Sequence, residues 1–172
     1  LASLLQNVGK YNDALEVYDE LQSVLSTSHS KHSLLSVHLH RANTLKHLQL
    51  LDDSLDAFHE ALKLADFESE VEYQIHSLIG SAEVYRMKED FNNAKVCLRQ
   101  ALDLTLHTQY EELHTDAMAN LASVEFAEGN VDGAIEPLFK AFERYLEIEN
   151  NGSAIRIGGI LVDWLAAAGR FE

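Results

Sequence analysis

Small and large apolar residues recur along the chain on a forty-residue ruler. The segments YNDALEVYDELQ, LDDSLDAFHEAL, FNNAKVCLRQAL and VDGAIEPLFKAF align on it without gaps. In each, a small residue (Ala14, Ser54, Ala94, Ala134) is followed four later by a large one (Tyr18, Phe58, Leu98, Leu138). Three further on stand Leu21, Ala61, Ala101 and Ala141. Steps of four and three return to one side of an α-helix, so each segment predicts an amphipathic helix with one buried face.

The preceding stretches obey the same ruler through Ala2, Ala42, Ala82, Ala122 and Val162, and through Gly9, Gln49, Glu89, Gly129 and Gly169. Each unit therefore holds two helices, with LLDD, KEDF, EGNV and AGRF as the turns between them. Asp90 and Asn130 are placed to cap the second helix, and Gly9, Gly129 and Gly169 suit the left-handed residue that closes the first. The units run approximately 1–28 (partial), 29–67, 68–108, 109–150 and 151–172 (partial), in a single array. Both ends fall inside a unit, so the chain is expected to belong to a longer protein.

Two local features test this reading. Pro137, several residues into a helix beginning near Asn130, removes the hydrogen bond to the Gly133 carbonyl and predicts a bend or a start shifted towards Ala134. The stretch IRIGGILVDWLAAAG carries Arg156 and Asp163 and is too short to span a membrane, so it reads as a buried helix. Its large apolar residues Ile160, Leu161, Trp164 and Leu165 exceed what the preceding helix can hide. Self-association through residues 153–168 is the expected outcome.

Composition sharpens the fold class to all-α. One proline and eight glycines interrupt 172 residues that are 47% hydrophobic, which favours helix over strand throughout. A net charge of −15 with no basic cluster excludes a nucleic-acid partner. Cys97 is the single cysteine, so an intrachain disulfide is excluded and a cytoplasmic setting suits it. The sequence LASLLQNVGKYNDALE has none of the marks of a signal peptide.

With these columns in view, the chain resembles the tetratricopeptide repeat (TPR) family. First helices of that family carry a Leu-Gly or Leu-Ala pair and an aromatic, as in Leu121-Ala122 of MANLASVEF and Ala82 and Tyr85 of SLIGSAEVY. Second helices carry Ala, an aromatic and Ala, as in Ala14/Tyr18, Ser54/Phe58/Ala61, Ala94/Ala101 and Ala134/Ala141. The period is forty rather than thirty-four and the unit-closing proline is missing. Both features resemble the TPR variants of kinesin light chains, spindle scaffold proteins and bacterial peptide- or sugar-responsive regulators. The resemblance implies a right-handed superhelix of stacked helix pairs that binds a protein or peptide in a concave groove.

Candidate chemistry is sparse outside that groove. Of nine histidines, His29 and His32 alone have helical metal-ligand spacing, but no third ligand is nearby and solvated loop histidines explain them better; no metal or cofactor is expected. No phosphate loop, nucleophile elbow or His-Glu-x-x-His pattern is present, and Cys97 beside Ala94, Leu98 and Ala101 reads as a small packing residue, so no enzyme is expected. Projecting the first helices assigns His40, Asn43, Lys46, His47, Glu83, Arg86, Asn120 and Phe126 to the peptide-binding groove. Asparagine there can donate to and accept from a peptide backbone. The Lys and Asn pattern by which chaperone-binding TPR proteins hold a C-terminal carboxylate is absent, since Leu39 precedes Asn43 and Gly80 and Glu83 follow. The other reading is a ligand-sensing segment of a larger signalling protein or transcriptional regulator.

Overall fold

The computed structural model describes residues 1–26, 30–106 and 108–169. Among them stand nine α-helices and no strand: α1 (Ala2–Asn7), α2 (Tyr11–Ser26), α3 (Lys31–His47), α4 (Leu51–Glu68), α5 (Val71–Met87), α6 (Phe91–Thr105), α7 (Glu111–Ala127), α8 (Val131–Glu147) and α9 (Asn151–Ala167). None is long and apolar enough to cross a membrane.

The helix ends follow from the turn chemistry. Gly9, Gly129 and Gly169 adopt φ of 77°, 97° and 67°, and Gln49 and Glu89, in the same column, adopt 62° and 61°. At Gly129 the N–H donates to the Phe126 carbonyl (3.0 Å) and the next N–H to Glu125 (2.9 Å), the paired bonds of a left-handed helix stop. Gln49 and Glu89 make the same bonds without the freedom of glycine. Glu89→Gly is therefore expected to raise stability by about 0.5–1 kcal/mol, read as a higher urea midpoint at unchanged slope.

Asp90 and Asn130 cap as expected, each accepting a hydrogen bond at 3.2 Å, from the Asn93 and Gly133 N–H groups respectively. Asn150 does the same for Ser153 at 3.1 Å. The Asn130 cap corrects one of the two alternatives for Pro137: α8 starts at Val131, not near Ala134, and includes the proline. The capping bond, with the Ala134 N–H donating to the Asn130 carbonyl at 3.1 Å, pins the first turn ahead of the ring.

The chain divides into two compact units, residues 1–84 and 85–172. In the first, α1 packs on α2, α2 on α3 and α3 on α4. Ala14, Ser54, Ala42, Phe58 and Ala61 are fully buried and Tyr18 nearly so. The small residues let the helix axes approach while the rings fill the space beside them. Leu21 departs from its column, 39% exposed where Ala61 is buried. It borders a shallow cleft with Leu25, His32, Val37 and Tyr73 instead of a close helix contact.

In the second unit α6 packs on α7, α7 on α8 and α8 on α9. Ala94, Leu98, Ala101, Ala134, Leu138 and Ala141 are all fully buried. Leu138, Ala141 and Tyr145 of α8 meet Ala154, Ile157 and Leu161 of α9 in one cluster. This revises the reading of α9. Leu161 is buried, Trp164 is half-buried against Phe126, and the large apolar residues left open are Ile155 (77% exposed) and Val162 (53%).

Candidate functional site

In the first unit, α3 and α5 line a cleft of about 470 Å³. From α3 it takes Ser36, Leu39, His40, Asn43 and Lys46, which are steps of three and four and so one helix face. From α5 it takes Glu72, Tyr73, His76, Ile79, Gly80 and Glu83, the same steps again. Gly80 is there for packing: a Cβ on it would lie 2.2 Å from the Phe58 ring of α4.

Four residues assigned to the groove by helix projection therefore meet in one place: His40, Asn43, Lys46 and Glu83. Lys46 and Glu83 form an ion pair across the cleft, and the lysine side chain is only 13% exposed. Asn43 donates one amide N–H to the Leu39 carbonyl at 3.0 Å, which fixes the side chain's orientation and uses one of its two donors. His40 lies parallel to Tyr18 of α2, with centroids 5.8 Å apart. His47 goes elsewhere, stacking on Tyr11 at 4.8 Å instead of lining the cleft.

The remaining three belong to the second unit. Asn120 repeats the Asn43 arrangement, donating to the Asp116 carbonyl at 2.9 Å. Phe126 stacks face to face on Trp164 of α9, centroids 4.1 Å apart and rings nearly parallel. Arg86 is half-buried at the end of α5. Helix projection missed Glu72 and Tyr73, which extend the α5 face one turn before His76. Continuing the same three-and-four steps backward from His76 would have reached them.

Burial holds the imidazoles of His38 and His40 below their ordinary 6.5; at His40 the neighbouring His76 adds to the effect, and at His38 Glu60 opposes it. A depressed folded-state value means that the unfolded chain takes up the proton first. Stability from the neutral rings is thus present above 6.5 and lost as pH falls through it towards the folded values. The melting temperature should fall between about pH 7.5 and about pH 5.5, and fall less in the His38→Gln, His40→Gln variant. An equal fall in both would contradict this.

Other candidate chemistry is thin. His29 lies outside the described residues, so the His29/His32 pair has no structural account; His32 itself hydrogen-bonds the Tyr73 hydroxyl at 3.1 Å. No group of three metal-ligating side chains occurs among the described residues. Cys97 of α6 is half-buried, and burial pushes its thiol up, away from the reactive thiolate.

The sequence matches no family model and no curated protein. Solved structures do match. The nearly identical TPR-like repeats of a Podosopora anserina protein assigned as a kinesin light chain superpose with a TM-score of 0.74 at 18% identity, over 99% of this chain and 84% of that one. The fold is a TPR-like helical repeat. BtubC (BKLC) from P. vanneervenii is similar at a TM-score of 0.76 and 19% identity, over 99% of this chain and 71% of its own. MamA is similar at 0.57 and 14% identity, over 99% and 98%. TPR-like repeats explain both the small-residue columns and the two-helix unit.

Proposed function

We propose that this TPR-like chain is a non-enzymatic binding scaffold for an extended or helical segment of another protein, in a cytoplasmic setting and without nucleic-acid or membrane partners. The reading is supported above all by the α3/α5 cleft, which sets the polar Ser36, His40 and Asn43 beside the apolar Leu39 and Ile79. Its volume of about 470 Å³ suits a few side chains rather than a whole domain. The Lys46–Glu83 pair neutralises its own two charges and leaves Glu72 as the other carboxylate of the lining, so recognition rests mainly on hydrogen bonding and apolar contact. Asn43 retains an acceptor and a second donor for a peptide backbone. Arg86, Asn120 and Phe126 are proposed as further contacts.

The test is selection of peptides from a random library on the wild-type chain, followed by titration against the Asn43→Ala, Arg86→Ala variant. Selected peptides should bind the variant at least about tenfold more weakly, or ~1.4 kcal/mol, while its circular dichroism stays the same. Equal affinity for a folded variant would show that the site lies elsewhere.

A further inference from the structure

Taking the α3/α5 cleft as the binding site, on which this rests, we infer that the bound segment carries a basic side chain, Arg or Lys, close to an apolar one, and that Glu72 selects the basic group. Among the described residues the lining holds one cation, Lys46, and two carboxylates, Glu72 and Glu83. Lys46 is already committed, because its ammonium donates to Glu83 and its side chain is only 13% exposed. Glu72 is differently placed. Its side chain is 54% exposed, and the His76 ring 4.0 Å away balances it only when protonated. Glu70 stands two residues earlier, 3.8 Å from His32. The two carboxylates act together at Tyr73 between them: burial raises its phenol above the ordinary value, and Glu72 and Glu70 raise it further. Residues 1–84 hold thirteen Asp and Glu against five Lys and Arg, so the wider field also favours a cationic ligand.

Helix geometry sets the spacing of the two groups. Glu72 and Ile79 stand two turns apart on one face of α5, about 10 Å along its axis. An extended peptide covers that distance in about three residues, and the length of an arginine or lysine side chain widens the match to between about two and four. With its basic group at Glu72, the segment sets its apolar side chain beside Leu39 and Ile79. The backbone is left to the remaining donor and acceptor of Asn43. An acidic segment fits poorly, because Glu72 repels it and Glu83 already holds the one lysine that could receive it.

The probes are peptides selected from the random library on the wild-type chain at physiological salt, where exposed charges more than about 8 Å apart are largely screened. They should be enriched in Arg or Lys near an apolar residue. Resynthesised with Glu in place of its basic residue, such a peptide should bind at least about fivefold more weakly by calorimetry, attraction being replaced by repulsion. Glu72→Lys in the chain should weaken the original peptide by the same factor and restore the Glu peptide to within about twofold of the wild-type pair. Asp53→Lys makes the same charge change on α4, outside the cleft, and should leave the affinity within about twofold. Selected peptides without a basic residue, no rescue by the charge exchange, or an equal loss in Asp53→Lys each overturn the inference. Where such peptides still lose affinity for the Asn43→Ala, Arg86→Ala variant, the cleft remains the binding site and only its preference for a basic segment is wrong. Peptides indifferent to that variant overturn both.

Discussion

Replacing Gly80 by alanine is expected to destabilise the first unit by about 3 kcal/mol, the upper end of what overpacking commonly costs. The added methyl would lie 2.2 and 2.3 Å from two carbons of the Phe58 ring, well inside contact distance. Phe58 is fully buried between its neighbours and has nowhere to retreat. The strain must therefore separate α4 from α5 or force the ring off its rotamer. Chemical denaturation measures it directly. The mechanism predicts more than the size of the effect: Phe58→Leu, harmful by itself, should offset part of the Gly80→Ala loss, with a coupling of about 1 kcal/mol or more. Additive losses would mean that the two positions do not meet.

The second large effect is expected at Tyr145, which is fully buried in α8 within the cluster formed with α9. Its hydroxyl donates to the Asp116 carboxylate of α7, and burial together with that bond raises the phenol far above its ordinary value. Two variants separate packing from polarity. Tyr145→Ala should cost about 3–5 kcal/mol through the cavity left among Leu138, Ile157 and Leu161. Tyr145→Phe keeps the ring and should cost about 1–2 kcal/mol through the lost charge-assisted bond. Equal losses in the two would show that the hydroxyl, not the ring, carries the contribution.

Much of this architecture is legible before any coordinates. Ala14, Ser54, Ala94 and Ala134 stand in one column because a helix axis can come close only where side chains are small, and all four are buried. Local turn chemistry is equally readable at Asp90, Asn130 and Gly129. The forty-residue ruler fails where a position's neighbours change: Val162 shares a column with Ala42 and Ala122, yet its exposure depends on whether a second helix lies over α9. Pro137 does not move the helix start because the cap at Asn130 fixes the first turn ahead of it.

The candidate site was only partly legible for a related reason. Helix projection reports the side from which a side chain leaves the backbone, and that sufficed for His40, Asn43, Lys46 and Glu83. It does not report which neighbour captures a long or aromatic side chain. His47 is held by Tyr11, and Phe126 by Trp164, contacts between residues 36 and 38 positions apart. The Lys46–Glu83 pair is likewise a long-range partnership, and it changes the meaning of both residues from ligand-facing charges to a neutral brace across the cleft.

The central claim is that the α3/α5 cleft holds a segment of another protein. Backbone and side-chain amide spectra of the isotopically labelled chain, recorded while a library-selected peptide is added, test it most directly. The account predicts saturable shifts concentrated at Ser36, His40, Asn43, His76 and Glu83, with the Asn43 side-chain amide among the largest. Saturable shifts confined to other residues, with these signals unmoved, would contradict it.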